Sequence, residues 1–477
     1  MTDATGWSAA ASARLAATSR SMLAPTHSTA AGRACVLAAD APSGSQLCCV
    51  HSLAIALEPE FRRTHCSFCA AAPSDDEQIR LCAECALVGT CRACRRAGAL
   101  DFHKLVECQH LARLSCHGCE AAETSSVVLL VARLMLCRRH AEASSHRRAV
   151  SSWSLDEFAM LDELVTNELA MDHESAEQMR ATGEGLRALL GCGELDATRL
   201  PLHMLLAVTA NAHVLVDLLR HIGEQSIGVA LFPTIGAAFN HECAPSCHVV
   251  TSPMPRRRCV EASVRSLRPL ATGTPATISY VPLGGVPSAC RARHLRQQYA
   301  FSCGCRECVD PSRGGMDLIM MAARLPDGDE EPAAVADVQR AAHSQLVAAD
   351  GASCPLAASL VRASTRAVAT HQLGAGHGYS MEAHRLEAWL AKNEGRHVES
   401  ADASRAWLAA AEQLTRPHGG SLADPLAVLH QRLELVQALG SAGVVDAATS
   451  MRATAAEDAE RWLGREHPYA RRIRAQL

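Results

Sequence analysis

The sequence has few aromatic residues and no strong charge of either sign. Phe, Trp and Tyr make up 3% of the 477 residues, and the tyrosines number four. Two of these, Tyr280 and Tyr299, fall within one short stretch, which makes that stretch unusually informative. The formal net charge is −4 at pH 7, so the composition does not indicate nucleic acid as a partner.

Long apolar runs and a secretory signal pattern are also lacking. The apolar stretch SVVLLVARLMLC (126–137) is shorter than a membrane span of about 20 residues and contains Arg133. We therefore expect no membrane segment. Residues 1–30 are rich in Ala, Ser and Thr, which predicts a disordered or targeting extension. The expected location is cytoplasmic or nuclear, and organelle targeting by this extension is left open.

Cysteine, by contrast, is abundant and clustered. The chain has 22 cysteines, and most of them lie in 66–119 and 290–308. Without a secretory signal a disulfide framework is not favoured, whereas clustered CxxC pairs are typical of zinc sites.

The first cluster contains CSFC (66–69), CAEC (82–85) and CRAC (91–94), followed by His103 and Cys108. Eight such ligands in a short segment fit two tetrahedral zinc sites, whose metal would supply much of the folding free energy. The pattern resembles a MYND zinc finger. The resemblance implies that one ion is held by Cys66, Cys69, Cys91 and Cys94 and the other by Cys82, Cys85, His103 and Cys108. The third pair is one residue shorter than is usual in that family, and the spacing from His103 to Cys108 is one residue longer.

A further set of four residues could bind another zinc ion. Cys116 and Cys119 precede an apolar helix, and Cys137 and His140 follow it. A helix flanked by unrelated cysteines explains the pattern equally well, and both interpretations stay open.

The second cysteine cluster lies beyond the stretch FNHECAPSC (239–247), which combines an Asn-His pair with two cysteines that lack CxxC spacing. RPLATGTPATISYVP (268–282) and RARHLRQQYAFSCGCREC (291–308) follow it. In order and spacing these motifs resemble the SET domain of protein lysine methyltransferases. Together with the inserted finger and a helical tail, they resemble the SET-and-MYND (SMYD) family.

The resemblance implies an α+β fold: a pseudoknotted SET β-fold with an inserted MYND-type zinc finger, a helical insert and an all-α, TPR-like C-terminal domain. Residues 32–57 alone read as a small β-meander, and 154–171 as one amphipathic helix. The expected domain bounds are 1–30 for the extension, 31–63 for the first SET part, 64–110 for the finger, 111–200 for the insert, 201–285 for the SET core, 286–310 for the post-SET segment and 316–477 for the tail.

The resemblance also assigns roles to single residues. Tyr280 and Tyr299 correspond to the two tyrosines of the lysine channel and are the expected catalytic residues. The residues implied in binding S-adenosylmethionine are Arg33, Asn211, Asn240, His241 and Phe301. Cys243 is implied as the fourth ligand of a zinc site with Cys303, Cys305 and Cys308, which makes about three zinc ions in all.

The chemistry accounts for these residue types. Methyl transfer from a sulfonium to a lysine amine requires two aligned reactants and exclusion of water. The amine, with a pKa near 10.4, must lose its proton in an apolar channel before it can attack.

Two functions of different classes remain after this reasoning. The first is an S-adenosylmethionine-dependent protein lysine N-methyltransferase, acting on a histone or another protein. The second is a weakly active or inactive zinc-binding scaffold, with peptide partners bound by the finger or the tail. Ala34, Ser246 and the acids missing at 274–275 depart from the family pattern, and Ala34 and the missing acids favour the scaffold.

Overall fold

The computed structural model describes most of the chain, and every structural statement below concerns that part. The described residues are 7–28, 32–73, 77–116, 125–144, 155–166, 168, 171, 173–190, 200–217, 226–281, 286, 288–309, 333–349, 354–414 and 424–475.

Short strands form several small sheets rather than one large sheet. The strands are β1 (Leu23–Ser28), β2 (Gly32–Leu37), β3 (Gln46–His51), β4 (Ala54–Leu57), β5 (Arg80–Leu81), β6 (Gly89–Thr90), β7 (Ala212–Val216), β8 (Ser226–Leu231), β9 (Asn240–His241), β10 (Cys247–Met254), β11 (Cys259–Ser266) and β12 (Thr277–Ile278).

The sheets join segments that are far apart in the chain. The two three-stranded sheets have the orders β10-β11-β3 and β4-β8-β7, and the two-stranded sheets are β1-β2, β12-β9 and β5-β6. Strand β2 pairs with the preceding β1, while β3 and β4 pair with the distant strands β11 and β8. Because β2, β3 and β4 do not pair with one another, the meander expected over 32–57 is wrong. Alternation of apolar and polar side chains suits either arrangement, because it predicts strands but does not identify their partners.

Helices make up the rest of the described structure. They are α1 (Ala9–Ser19), α2 (Arg92–Arg96), α3 (Ala99–Phe102), α4 (Cys108–Cys116), α5 (Ser126–Ser144), α6 (Leu155–Asp162), α7 (His173–Leu190), α8 (Leu200–Asn211), α9 (Pro233–Ala238), α10 (Ser288–Tyr299), α11 (Arg306–Val309), α12 (Ala333–Ala349), α13 (Pro355–Thr370), α14 (Gly378–Asn393), α15 (His397–Gln413), α16 (Pro425–Ser441), α17 (Val445–Leu463) and α18 (Pro468–Ala475).

Helix α6 is shorter than the sequence predicts. It ends at Asp162, and of the side chains expected on one apolar face Phe158, Leu161 and Leu164 are buried while Val165 is 67% exposed. The helical period therefore identified the buried face but not the end of the helix, which is the least reliable part of such a prediction.

The N-terminal segment is part of the folded core. Helix α1 begins after Ser8, whose hydroxyl caps it by accepting a hydrogen bond from the Ala11 N–H. Trp7, Ala11 and Leu15 are fully buried in the main hydrophobic core. The expectation of a disordered extension is therefore wrong for residues 7–28, since their small and apolar side chains, spaced four apart, form a buried helical stripe.

The tail after residue 333 is helical, and its consecutive helices pack against one another from α12 to α18. Its apolar side chains form clusters separate from the main core. One of these clusters also contains Cys243 and packs against Cys303, Cys305 and Cys308. The α+β class is confirmed, while the domain bounds remain predictions. Among the described helices, none has the length and apolarity that a bilayer crossing requires.

Truncating a buried side chain of α1 tests whether this helix stabilises the fold. Leu15→Ala removes a fully buried side chain, and we expect it to lower the free energy of unfolding by about 2–5 kcal/mol. Leu356→Ala makes the same chemical change at a position that is 54% exposed, and it should cost less than about 1 kcal/mol. Denaturant unfolding of both variants measures the difference. Equal stabilities would show that α1 does not contribute to the core.

Candidate active site and metal centres

Three groups of four ligands come together in the fold. They are Cys66, Cys69, Cys91 and Cys94; Cys82, Cys85, His103 and Cys108; and Cys243, Cys303, Cys305 and Cys308, with the ligand atoms of each group within 4.8 Å of one another. These are the three ligand sets that the sequence predicts.

The distances within the groups fit zinc. A tetrahedral ion with Zn–S bonds of about 2.3 Å separates two sulfurs by about 3.8 Å. The Sγ atoms of Cys82 and Cys108 are 3.5 Å apart, and those of Cys243 and Cys303 are 4.0 Å apart. Four thiolates, or three and an imidazole, are donor sets that zinc prefers. Each group can therefore hold one zinc ion as a closed, structural site.

The unusual spacing between His103 and Cys108 is absorbed by the backbone. Residues His103–Glu107 form a π-helical turn, which takes up the additional residue and leaves both ligands in the group. Single π-turns are frequent at functional sites, where they change the direction of a side chain without ending the helix. The departure from the family spacing thus does not remove a ligand.

The further set of possible ligands cannot be assembled from the described residues. The side chain of Cys116 and all of Cys119 lie outside them. Cys137 is buried within α5, and the His140 ring packs edge-on against Phe102 at 6.0 Å.

Asn240 and His241 form a short strand at the centre of the candidate active site, and this strand pairs in parallel with another. Strand β9 is the pair itself, and β12 runs beside it with Thr277 opposite Asn240 and Ile278 opposite His241. Tyr280 lies two residues after the end of β12, and its N–H donates to His241 Nδ1 at 3.0 Å. The backbone pairing therefore brings the predicted catalytic tyrosine to the predicted cofactor motif.

Aromatic rings from three segments gather at this point. The ring centroids of Tyr280 and Tyr299 are 4.9 Å apart, and Phe301 lies 6.3 Å from Tyr280 and 5.9 Å from His241. The Tyr280 hydroxyl donates to the Phe239 carbonyl at 2.6 Å, and the Tyr299 hydroxyl donates to the Tyr280 carbonyl at 3.2 Å. Both hydroxyl hydrogens are thus committed to backbone carbonyls, which fixes the orientation of the rings.

The titratable groups of this cluster are held neutral. Burial raises the pKa of Tyr280 well above its usual value, and the neighbouring Tyr299 adds to the shift. Burial likewise raises the pKa of Tyr299 and lowers that of His241 to about 4. Because His241 Nδ1 accepts the Tyr280 N–H, the neutral imidazole carries its hydrogen on Nε2. That atom lies 3.3 Å from Cys243 Sγ.

The predicted cofactor residues near the N-terminus also reach this site. The Asn240 side-chain amide donates to the Arg33 carbonyl at 2.8 Å. The Arg33 guanidinium donates to the Glu163 carboxylate at 2.7 Å, and the same carboxylate accepts from the Ser8 hydroxyl. The Trp7 ring lies 6.0 Å from that guanidinium. Arg33 is therefore positioned by Glu163, with Ser8 and Trp7 of the N-terminal segment beside it, and no sequence motif indicated Glu163 or Trp7.

Asn211 lies at the end of α8, with its amide donating to the carbonyls of Val165 and Ala207 at 2.9 Å. Gly236 of α9 faces it so closely that a Cβ there would come within 2.8 Å of Asn211 Oδ1. The Asn211 side chain thus links α8 to the segment after α6, and it lies against Gly236, three residues before Phe239. Its role in cofactor binding remains a prediction.

Ser246, which replaces the asparagine usual in the family, is fully integrated into the site. Its hydroxyl accepts from the Thr277 N–H at 2.9 Å and donates to the Pro275 carbonyl at 3.0 Å. Thr277 in turn donates its hydroxyl to Glu242 at 2.9 Å. These hydrogen bonds hold β12 in place, and no sequence motif indicated them.

A pair of cysteine substitutions tests the third metal centre. We expect Cys243→Ser to lower the zinc content of the purified full chain from three ions to two, because a closed tetrahedral site needs all four ligands. Cys247→Ser is the matched control, since Cys247 is equally buried but belongs to none of the three groups. Elemental analysis by mass spectrometry gives both values. A loss of one ion from Cys247→Ser, or none from Cys243→Ser, would contradict the ligand assignment.

Comparisons with known proteins agree with these features. The chain is 30% identical over 266 residues to N-lysine methyltransferase SMYD2-B of Danio rerio, covering 56% of this chain and 55% of that protein. It is 29% identical over 129 residues to histone-lysine N-methyltransferase Smyd1 of Mus musculus, covering 26% and 25%. The human SMYD3 enzyme is 33% identical over 84 residues, covering 18% of each chain.

No family model matches the chain. A solved SET domain, that of LSMT bound to lysine and AdoHcy, aligns over 96% of this chain and 92% of its own, with a TM-score of 0.36 and 11% identity. The chain matches about half the length or less of these curated relatives. The sequence similarity to SMYD-type lysine methyltransferases nevertheless confirms the resemblance that the motifs carry.

Proposed function

We propose that the chain is an S-adenosylmethionine-dependent protein lysine N-methyltransferase. The observation that carries the proposal is the ring cluster of Tyr280, Tyr299, Phe301 and His241, built on the Asn240–His241 strand. Such a cluster can desolvate an alkyl ammonium group and hold it in one direction. The printed names of the similar proteins, N-lysine and histone-lysine methyltransferases, support the same activity.

The residues around Asn240 fit an S-adenosylmethionine site. The Asn240 side chain donates to the Arg33 carbonyl, which holds the backbone of β2 next to β9 and the rings. Phe301 would offer an aromatic face to the adenine, and Asn211, whose amide hydrogens are donated to Val165 and Ala207, would offer its side-chain oxygen near Gly236. The cofactor, when bound, supplies an electrophilic methyl group on a sulfonium. The residues of this chain bind it and orient the amine that it alkylates.

Tyr280 acts as an orienting group and not as a base. Because burial raises its pKa, the hydroxyl stays protonated, and its hydrogen is already donated to the Phe239 carbonyl. Its oxygen lone pairs remain able to accept an N–H from the substrate amine. The amine loses its extra proton to water as it leaves bulk solvent, since the aromatic walls disfavour the ammonium. Its lone pair then points along the line of attack.

The substrate peptide is proposed to enter from the side of the helical tail. A cleft of about 630 Å³ lies between α12, α14 and Val286, two residues before α10. Its lining is polar and of mixed charge, since Arg385 donates to Glu382 at 2.7 Å and both side chains face the cleft. The many free cysteines of the described chain favour a reducing compartment, the cytoplasm or the nucleus.

The proposal is tested first by ligand binding. S-adenosylmethionine at about 100 times its Kd should stabilise the folded chain by about 2.7 kcal/mol and raise its Tm. Labelled methyl transfer to a proteome extract, followed by mass-spectrometric mapping of modified lysines, then tests catalysis. A Tm shift without methyl transfer would favour an inactive scaffold that has kept its cofactor site. The absence of both a Tm shift and methyl transfer would refute the proposed methyltransferase activity.

Removing one hydroxyl tests the role of Tyr280. We expect Tyr280→Phe to lower kcat by about 100-fold, because the oriented oxygen contributes to the transition state. Tyr469→Phe, in the C-terminal helical cluster, makes the same chemical change away from the site and should keep full activity. Zinc content should stay the same in both variants. Equal turnover by the two variants would refute the role assigned to Tyr280.

A further inference from the structure

An arginine is buried in the core beside both finger sites. Arg133, on α5, is 3% exposed, and Glu107 in the π-helical turn is fully buried. Placing a charge in a protein interior is costly unless it is paired and fully hydrogen-bonded. Since α5 is otherwise apolar over this stretch, the position of Arg133 calls for a specific interaction.

Arg133 is bonded to three separate parts of the chain. Its Nε donates to Glu107 Oε1 at 2.9 Å, and its Nη1 donates to the carbonyls of Ile55 and Ser67 at 2.6 Å. The Phe68 ring lies 4.8 Å from its guanidinium carbon. One side chain thus joins β4, the first cysteine pair of the finger and the π-helical turn.

Through Glu107, Arg133 is connected to the metal group of Cys82, Cys85, His103 and Cys108. The other oxygen of Glu107 lies 3.0 Å from His103 Nδ1, and His103 Nε2 lies 3.4 Å from Cys85 Sγ. A carboxylate on Nδ1 keeps the hydrogen there and leaves the Nε2 lone pair for a metal. Arg133, by fixing Glu107, therefore acts on the ligand atom of His103.

Through Ser67, Arg133 is connected to the metal group of Cys66, Cys69, Cys91 and Cys94. Ser67, whose carbonyl accepts from Arg133, lies between the ligands Cys66 and Cys69. Four thiolates around Zn²⁺ leave a net charge of about −2, and three thiolates with a neutral imidazole leave about −1. Burial by itself lowers the pKa of Arg133, but the carboxylate of Glu107 raises it by more, so the guanidinium stays charged. It is a buried cation that both groups share.

We propose that Arg133 couples the two finger sites, so that zinc in one site favours zinc in the other. When the Cys66 site is occupied, the ordered Ser67 carbonyl holds the guanidinium in place. When the His103 site is occupied, the ordered Glu107 carboxylate does so. The second site then forms around a partner that is already ordered, and it gains affinity without a new contact. The coupling is independent of the proposed enzymatic activity.

Chelator competition on the zinc-loaded full chain tests the coupling. We expect the wild type to release the two finger ions in a single transition, with the ion of the Cys243 group separate as an internal reference. In Arg133→Met both finger ions should bind about 10-fold or more weakly, and in two transitions. Glu107→Gln should weaken mainly the His103 site. Arg138→Met is the matched control on the same helix, because Arg138 pairs at the surface with Asp162.

A double variant keeps the test valid if Arg133→Met does not fold. Glu107→Gln combined with Arg133→Met removes both charges and leaves no unpaired buried ion. We expect circular dichroism to show a folded chain in which the finger ions are released independently. Cobalt(II) substitution reports each site directly, since a four-sulfur site and a three-sulfur, one-nitrogen site absorb differently. A single cooperative transition with wild-type affinity in this variant would overturn the proposal.

Discussion

The fold depends on thiolates that are drawn together from distant parts of the chain. Cys243 lies 60 residues from Cys303, and their sulfurs are 4.0 Å apart. When these sulfurs are ionised they repel one another at this distance unless a cation lies between them, so the thiolate form requires a metal ion. Because Cys243 belongs to an apolar cluster of the tail and Cys303, Cys305 and Cys308 pack against it, an ion bound here would also hold the helical tail against the strands.

The candidate active site is connected to this metal centre by one imidazole. His241 accepts the Tyr280 N–H on Nδ1 and places Nε2 at 3.3 Å from Cys243 Sγ. An N–H donated to a metal-bound thiolate stabilises its charge and fixes the ring that donates it. Loss of the ion would therefore release His241, and with it the orientation of Tyr280. Through this side chain, the two functions proposed for residues 239–247, cofactor binding and metal binding, are physically coupled.

The sequence predicted the residues whose chemistry requires a fixed spacing, and it missed those defined only by tertiary contacts. The resemblance to the MYND finger and the SET domain implies all twelve metal ligands, and each implied set comes together in the fold. Glu163 and Arg133 carry no local pattern, because Glu163 binds Arg33, 130 residues away, and Arg133 binds Glu107, 26 residues away. Helix α1 was mistaken for an extension because alanine-rich sequence lacks the contrast between apolar and polar faces that identifies a buried helix.

The departures from the family pattern weigh less against activity once their contacts are known. Ser246 replaces an asparagine, yet its hydroxyl bonds both Pro275 and Thr277 and so supports β12 directly. Near the acids missing at 274–275, Glu242 supplies a carboxylate that accepts the Thr277 hydroxyl at 2.9 Å. Ala34 lies within β2 opposite Thr26, and the left-handed conformation that glycine favours is instead taken by Gly32, with φ at 66°. Each substitution changes how the site is supported, and none removes a ring or a backbone group that methyl transfer would use.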